Sequence, residues 1–255
     1  MVEKSFAVTV NQIQKSFNTV NGPRQVLKGV SLDIEEGSCV VIGGENGSGK
    51  SLLMNILAGL EQADKGTFKT LGRIGLVFQE SETQILGETP REDIAFGPKN
   101  LGFAKEKIQT AVTKALEATG LTEKADFSAR FLSGGEKRRL AVACMLAMDT
   151  PIIVLDEPYA NLDYQGVKQV NALIKKLKEA KKTIIILSHE LEKCLALSDK
   201  FVVLYQGEIM FDGTPEETGV VDGCGHRPLH RLGRISLSGA HLPAACKCRR
   251  RAHCL

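Results

Sequence analysis

Apolar and polar positions along this chain follow the period of strands first and of helices later. Residues 6–10 and 30–34 alternate as half-buried strands. Glu36-Gly37 then turns the chain into the run Val40-Val41-Ile42, apolar throughout, as a strand buried on both faces is. Beyond it Leu52, Leu53, Ile56, Leu57 and Leu60 recur at helical spacing, with Gly59 close to the helix end. Residues 75–79 read as a buried strand ending on the amide of Gln79. Ile108, Val112, Ala115 and Leu116 place one apolar stripe on a helix over 104–120. A further helix contains Leu140, Val142 and Met145, and 152–155 and 184–187 are two more buried strands. The stretch 15–18 between the first two strands is too polar for a core strand. The pattern predicts an α/β core with a β-rich entrance.

Composition bounds this picture. With 255 residues and 43% hydrophobic content the chain can bury one sizeable core. Its apolar runs, such as 183–187, are far shorter than the roughly 20 residues that cross a bilayer. The N-terminus lacks the basic-then-apolar layout of a signal peptide, which points to the cytoplasm. The formal charge of +3 divides unevenly: residues 219–255 hold six Arg and one Lys against Asp222, leaving 26 basic and 29 acidic groups elsewhere. The body therefore offers no basic stripe of the kind nucleic acid selects. Cysteine divides in the same way. Cys39, Cys144 and Cys194 stand singly in apolar segments and read as reduced buried thiols, whereas Cys224, Cys246, Cys248 and Cys254 crowd the last residues.

The chemistry begins where the apolar run 40–42 meets Gly43. Gly44, Glu45, Asn46, Gly47, Ser48, Gly49, Lys50, Ser51 and Leu52 follow the P-loop pattern. In it backbone N–H groups wrap the phosphates of a nucleotide, Lys reaches the β/γ oxygens, and the hydroxyl ligates Mg²⁺. A plain glycine-rich helix cap is the bland alternative; a strand before and a helix after argue against it. Strand 152–155 delivers Asp156 and Glu157 at its C-terminal end, where open α/β sheets bind ligands. Asp156 is a candidate Mg²⁺ ligand and Glu157 a candidate base for a water attacking the γ-phosphate. Ser133, Gly134, Gly135 and Glu136 open a helix with a second turn rich in N–H groups. Three further residues carry two readings each. Gln79 is a Mg²⁺ contact or a surface amide, Phe17 an adenine stacker or a packing residue, and His189 a γ-phosphate contact or an exposed strand-end histidine.

Taken together these motifs strongly resemble the ATP-binding-cassette ATPases. The P-loop, Gln79 as Q-loop, residues 132–136 as signature motif, Asp156-Glu157 as Walker B with its glutamate, Asn161-Leu162-Asp163 as D-loop and Ser188-His189 as switch histidine stand in the family's order. Residues 75–79, 92–98 and 137–143 are similar to the ATPase subunits of energy-coupling-factor and cobalt-type importers, which take up vitamins and transition-metal ions. The resemblance implies an α/β fold: a P-loop NTPase core with an antiparallel β subdomain and a helical signature-motif subdomain, over residues 1–218. It implies ATP and Mg²⁺ as cofactors, with Ser51, Gln79 and Asp156 at the metal and Glu157, His189 and Lys50 as the catalytic set. It makes Phe17 the adenine stacker.

The resemblance also implies partners: an integral-membrane transporter subunit, and a second cassette as homo- or heterodimer, at the cytoplasmic face of the membrane. Nucleic acid is not expected as a partner. The competing function is a soluble cassette ATPase acting on nucleic acid or ribosomes, but such proteins usually carry coiled-coil, zinc or second-cassette insertions that this chain lacks. Ile85 and Leu86, followed by an amphipathic turn at 92–96, are expected to dock the membrane subunit, with packing inside the helical subdomain as the alternative. Residues 66–75 are short for the β subdomain, and Asn161 stands where a smaller residue is usual. Residues 214–217 announce a helix that Gly219 interrupts, so 219–255 reads as a disordered or non-native tail, with a Cys/His metal knot or a lipid-facing tail as alternatives.

Overall fold

The computed structural model describes residues 5–20 and 22–218. The readings for the tail, including its four cysteines, lie outside the described residues.

Two sheets organise the chain. Strands β1 (Phe6–Thr19) and β2 (Gly22–Glu35) form a long antiparallel pair, and β4 (Lys65–Thr70) joins the other edge of β1, giving the order β2-β1-β4. The second sheet runs β5-β6-β7-β3-β8-β9, from β3 (Cys39–Gly43), β5 (Ile74–Val77), β6 (Ile152–Asp156), β7 (Thr183–Leu187), β8 (Lys200–Tyr205) and β9 (Glu208–Gly213). All its pairings are parallel except β8 with β9.

The continuous apolar runs have a direct cause, because successive side chains of a strand point to opposite faces and both faces are covered. Val40 and Ile42 of β3, Ile152 and Val154 of β6, and Ile185 and Leu187 of β7 share one core with α1 (Lys50–Leu57) and the inner face of the antiparallel sheet. Cys39, Val41, Ile153, Leu155, Ile184 and Ile186 face a second core with α5 (Tyr164–Glu179). A third apolar cluster lies among α2 (Pro90–Asn100), α3 (Lys105–Thr119) and α4 (Gly134–Ala147). Burying these runs stabilises the fold by about 25 cal/mol per Å² of apolar surface removed from water. The fold is thus the expected α/β one, with an antiparallel β unit and a helical unit.

Several local expectations need correction. Residues 15–18 do belong to a strand, the distal half of β1. Their polarity reflects a sheet end that faces solvent, although Lys15 is itself buried by ion pairs to Glu61 at 2.8 Å and Asp64 at 3.5 Å. Leu60 lies beyond α1, which closes at Ala58, and is exposed. Residues 92–96 are not a short turn but part of α2, with Pro90 at its start and the Thr89 hydroxyl accepting from the Glu92 N–H. The helix start read at 214–217 needs no correction: the described residues end there in a 3-10 turn, Glu216–Thr218, with the Glu217 carboxylate accepting from the Thr214 N–H. The short 66–75 region still supplies a strand, β4, enough to complete a three-stranded sheet.

Candidate functional site

Register brings the site together. Ile42 of β3 pairs with Leu187 of β7, and Leu187 pairs with Asp156 of β6, so the turns leaving all three strands open at one edge of the sheet. That edge carries the P-loop, Asp156-Glu157 and Ser188-His189. It is the carboxyl end of a parallel sheet, where the strand order reverses on either side of β3.

The P-loop is shaped by close approach. Gly44 has φ 151°, and a Cβ there would lie 2.1 Å from the Leu204 carbonyl oxygen. Gly49 has φ 104° and leaves no room for a Cβ beside Leu27 of β2. Gly44→Ala is therefore expected to destabilise the protein by about 1–3 kcal/mol or more, since neither backbone can yield cheaply. A drop in the thermal unfolding midpoint, together with lost nucleotide binding, checks it.

Lys50 opens α1 and is buried. Its Nζ donates to the carbonyl oxygens of Gly44 at 2.7 Å and Glu45 at 3.1 Å, which hold the ammonium over the loop. Burial lowers its pKa, against the opposing pull of Glu157 and Asp156. The Ser51 hydroxyl donates to Asp156 Oδ2 at 2.7 Å. Burial pushes the Asp156 carboxyl up, offset by that hydrogen bond and raised further by Glu157.

Two hard oxygen donors thus lie together beside a carboxylate that Lys50 alone does not compensate. That donor set suits Mg²⁺, which binds through one or two carboxylates and takes its other ligands from phosphate and water.

Glu157 is 7% exposed and sits at φ 46°, left-handed for a residue that prefers otherwise. Its N–H donates to the Leu187 carbonyl at 2.9 Å. Oε1 stands 2.9 Å from His189 Nδ1, while Oε2 is buried with no partner. The Ser48 hydroxyl is likewise buried and unpartnered. Free acceptors of this kind normally have a reason in a binding or chemical site.

The other predicted residues are placed less directly. Ser133 caps α4 in a reciprocal box with Glu136, and Glu136 pairs with Lys124 at 2.6 Å, all within the helical unit. Gln79 is exposed just past β5, and its side chain makes no hydrogen bond to Ser51 or Asp156. Phe17 is 40% exposed, with Lys15 Nζ 5.3 Å from its ring centroid. It pairs with Arg24 of β2, close to the Val26-Leu27 stretch that packs on Gly49, so the ring lies on the strand beside the P-loop's neighbour. Asp163 of the expected D-loop caps α5, accepting from the Gly166 N–H at 2.7 Å. Asn161 adopts φ 57°, a conformation asparagine tolerates better than most residues.

Sequence reasoning missed two buried charges. Arg138 reaches the carbonyls of Pro158 and Gln79. Asp93 Oδ1 accepts from the N–H groups of Leu86 at 2.7 Å and Gly87 at 2.8 Å, and its Oδ2 lies 3.3 Å from Cys144 Sγ. No local signal separates either from an ordinary charged residue on a helix. Cys39, Cys144 and Cys194 are free thiols; Cys39 and Cys194 are buried as expected and Cys144 is only partly buried, and burial pushes Cys39 up to about 12.

A phosphate-wrapping loop, a lysine aimed over it, a hydroxyl–carboxylate pair and a buried carboxylate at one sheet edge define a nucleoside-triphosphate-hydrolysing P-loop protein. Residues 27–160 match the family model described as ABC transporter. The chain is 38% identical over 206 residues to the energy-coupling factor transporter ATP-binding protein EcfA2 of Methanospirillum hungatei, covering 75% of this chain but 52%, about half, of that relative. Among solved structures, cbiO1 of Clostridium perfringens, part of the ABC transporter complex cbiONQ, superposes with TM-score 0.77 at 28% identity, over 86% of this chain and 92% of that one. The ATP-binding cassette MJ0796, in a dimeric post-hydrolysis state bound to ADP and Pi, gives TM-score 0.72 at 26% identity, over 82% and 98%. The chain belongs to the ABC transporter family, and is one of its ATP-binding, ATP-hydrolysing cassettes. No helix among the described residues is long and apolar enough to cross a membrane.

Proposed function

We propose that residues 1–218 form the ATPase subunit of an energy-coupling-factor type importer of vitamins or transition-metal ions. It acts at the cytoplasmic face of a membrane, paired with a second cassette and an integral-membrane subunit. The observation that carries the chemical part is the free, buried Glu157 Oε2 beside the Ser51–Asp156 pair. The likeness to EcfA2 and cbiO1 supports the transport part.

In this reading the N–H groups of residues 44–51 and the Lys50 ammonium take the phosphates, and Phe17 stacks on the adenine. Ser51, Asp156 and Gln79 would hold Mg²⁺, which would supply positive charge to offset that of the phosphates. Glu157 accepts the proton of the attacking water through Oε2. His189, on Oε1, orients that carboxylate and reaches the γ-phosphate. Ser133 and Glu136 make their side-chain contacts with each other and with Lys124 inside the helical unit, and in this reading the turn Ser133-Gly134-Gly135-Glu136 serves the nucleotide bound by the other cassette. This chain carries both halves of such a site and could pair with itself or with a sister cassette.

Docking of the membrane subunit falls on the open groove of about 850 Å³ between the Glu82–Thr89 stretch and residues 126–130. Ile85 packs into the helical core, while Leu86 is 67% exposed at the groove and is left for the partner. Leu86→Asp is expected to abolish co-purification with the membrane subunit from the protein's own detergent-solubilised membranes while ATP binding persists. Recovery of the wild-type chain with DNA or RNA and without a membrane protein would overturn the transport reading.

A further inference from the structure

We propose that Arg138 is a positioning residue for hydrolysis: its guanidinium ties the main chain at Gln79 to the main chain at Pro158, so the loop bearing Gln79 and the turn bearing Glu157 move together. The inference rests on the roles proposed above for Gln79 and Glu157.

Three observations carry it. Arg138, one turn into α4, is 7% exposed, yet neither of its hydrogen bonds goes to a carboxylate. Nη1 donates to the Pro158 carbonyl at 2.8 Å, Nη2 to the Gln79 carbonyl at 3.4 Å, and Nε is buried without a partner. Burial accordingly lowers its pKa. A guanidinium held this way is poor at stabilising a fold, because an apolar side chain of similar length would avoid the desolvation cost. What it supplies is geometry. A planar fork reaches two separate acceptors at once, here one from the segment after β5 and one from the segment after β6.

The second observation is what lies next to each acceptor. Pro158 follows Glu157, whose left-handed backbone must be held by its surroundings. The Arg138–Pro158 hydrogen bond holds the Pro158–Tyr159 peptide and so restrains the turn in which Glu157 sits. The third is that Lys137, the preceding residue, pairs with Glu82 at 2.8 Å. The start of α4 therefore grips the 79–82 segment twice, by a main-chain carbonyl and by a carboxylate. The two Arg138 bonds are unequal in length, the shorter to Pro158 and the longer to Gln79, and both must hold for the two segments to move as one.

The test compares Arg138→Met, Arg138→Lys and, in parallel, Glu157→Gln in the full chain. Steady-state ATP hydrolysis and equilibrium binding of a non-hydrolysable MgATP analogue are measured for each. Arg138→Met is expected to lower kcat about tenfold or more while KM and analogue affinity stay within about threefold, the pattern of a lost transition-state arrangement rather than lost binding. Arg138→Lys is expected to remain within about threefold of Arg138→Met, since a point charge cannot serve both carbonyls. Should Arg138→Met fail to fold, Arg138→Lys is read by the same kcat-against-KM criterion. Wild-type kcat in either folded variant, or equal loss of kcat and analogue affinity, overturns the proposal. Hydrolysis surviving in Glu157→Gln would instead overturn the functional reading beneath it. A dead Glu157→Gln beside a fully active Arg138→Lys would sink the Arg138 inference alone.

Discussion

Glu157→Gln binds MgATP but turns it over about 10²- to 10⁴-fold more slowly, and the ATP-bound dimer accumulates. The expected size is what removal of a positioned general base typically costs. The geometry favours so clean a separation. The carboxylate is buried, one oxygen is engaged by His189 and the other is free, so an amide of nearly the same shape leaves the site's outline intact. Its backbone conformation, set by the N–H bond to Leu187, is unaffected by the change in the side chain. Only the capacity to take a proton is lost. Phosphate release measured alongside size-exclusion chromatography with and without MgATP checks both halves. Hydrolysis at the wild-type rate would remove Glu157 from the mechanism.

Lys50→Ala is expected to act one step earlier and weaken nucleotide binding itself, by about 10²-fold, as loss of hydrogen bonds to a charged group implies. The ammonium is held by two carbonyls of its own loop, so its position precedes the ligand and binding does not have to order it. Removing it also takes away the positive charge that partly offsets burial of Asp156, whose carboxyl is then driven further toward its neutral form. Nucleotide and Mg²⁺ affinity should therefore fall together, which titration calorimetry at fixed pH reads directly. Unchanged affinity would mean that the backbone N–H groups alone hold the phosphates.

Much of this site was legible because its chemistry is concentrated in short contiguous stretches. The runs 40–42, 152–155 and 184–187 are apolar throughout because both faces of the central sheet are covered, and each is followed at once by its polar residues. The length of β1 and β2 was not legible. Their distal halves are polar because that end of a three-stranded sheet faces water, which removes the alternation that marks a strand. Helix α2 reads only as an amphipathic turn over 92–96, although it continues to Asn100 through Gly97 and Pro98. In the folded chain Gly97 is where α2 lies against Met148, a Cβ coming within 2.5 Å of its sulfur, and Pro98 is in the last turn. Ile85 and Leu86 are neighbours with opposite fates, which no local pattern resolves. Arg138 belongs to a third class, where burial arises from chain segments some 20 and 59 residues away.

The helical unit's apolar cluster, made by α2, α3 and α4, is distinct from the two that flank the central sheet. The parts of it made by α2 and α3 lie away from the strands that lead to Lys50, Asp156 and Glu157, whereas α4 packs on both sides, with Leu146 against both clusters. If Leu86 docks a membrane subunit as proposed, the surface around it can change with the partner while the phosphate chemistry at the sheet edge stays as it is. Such change is constrained where α4 itself meets the sheet, through Ala141, Val142 and Met145 in its core and through Arg138 at its edge.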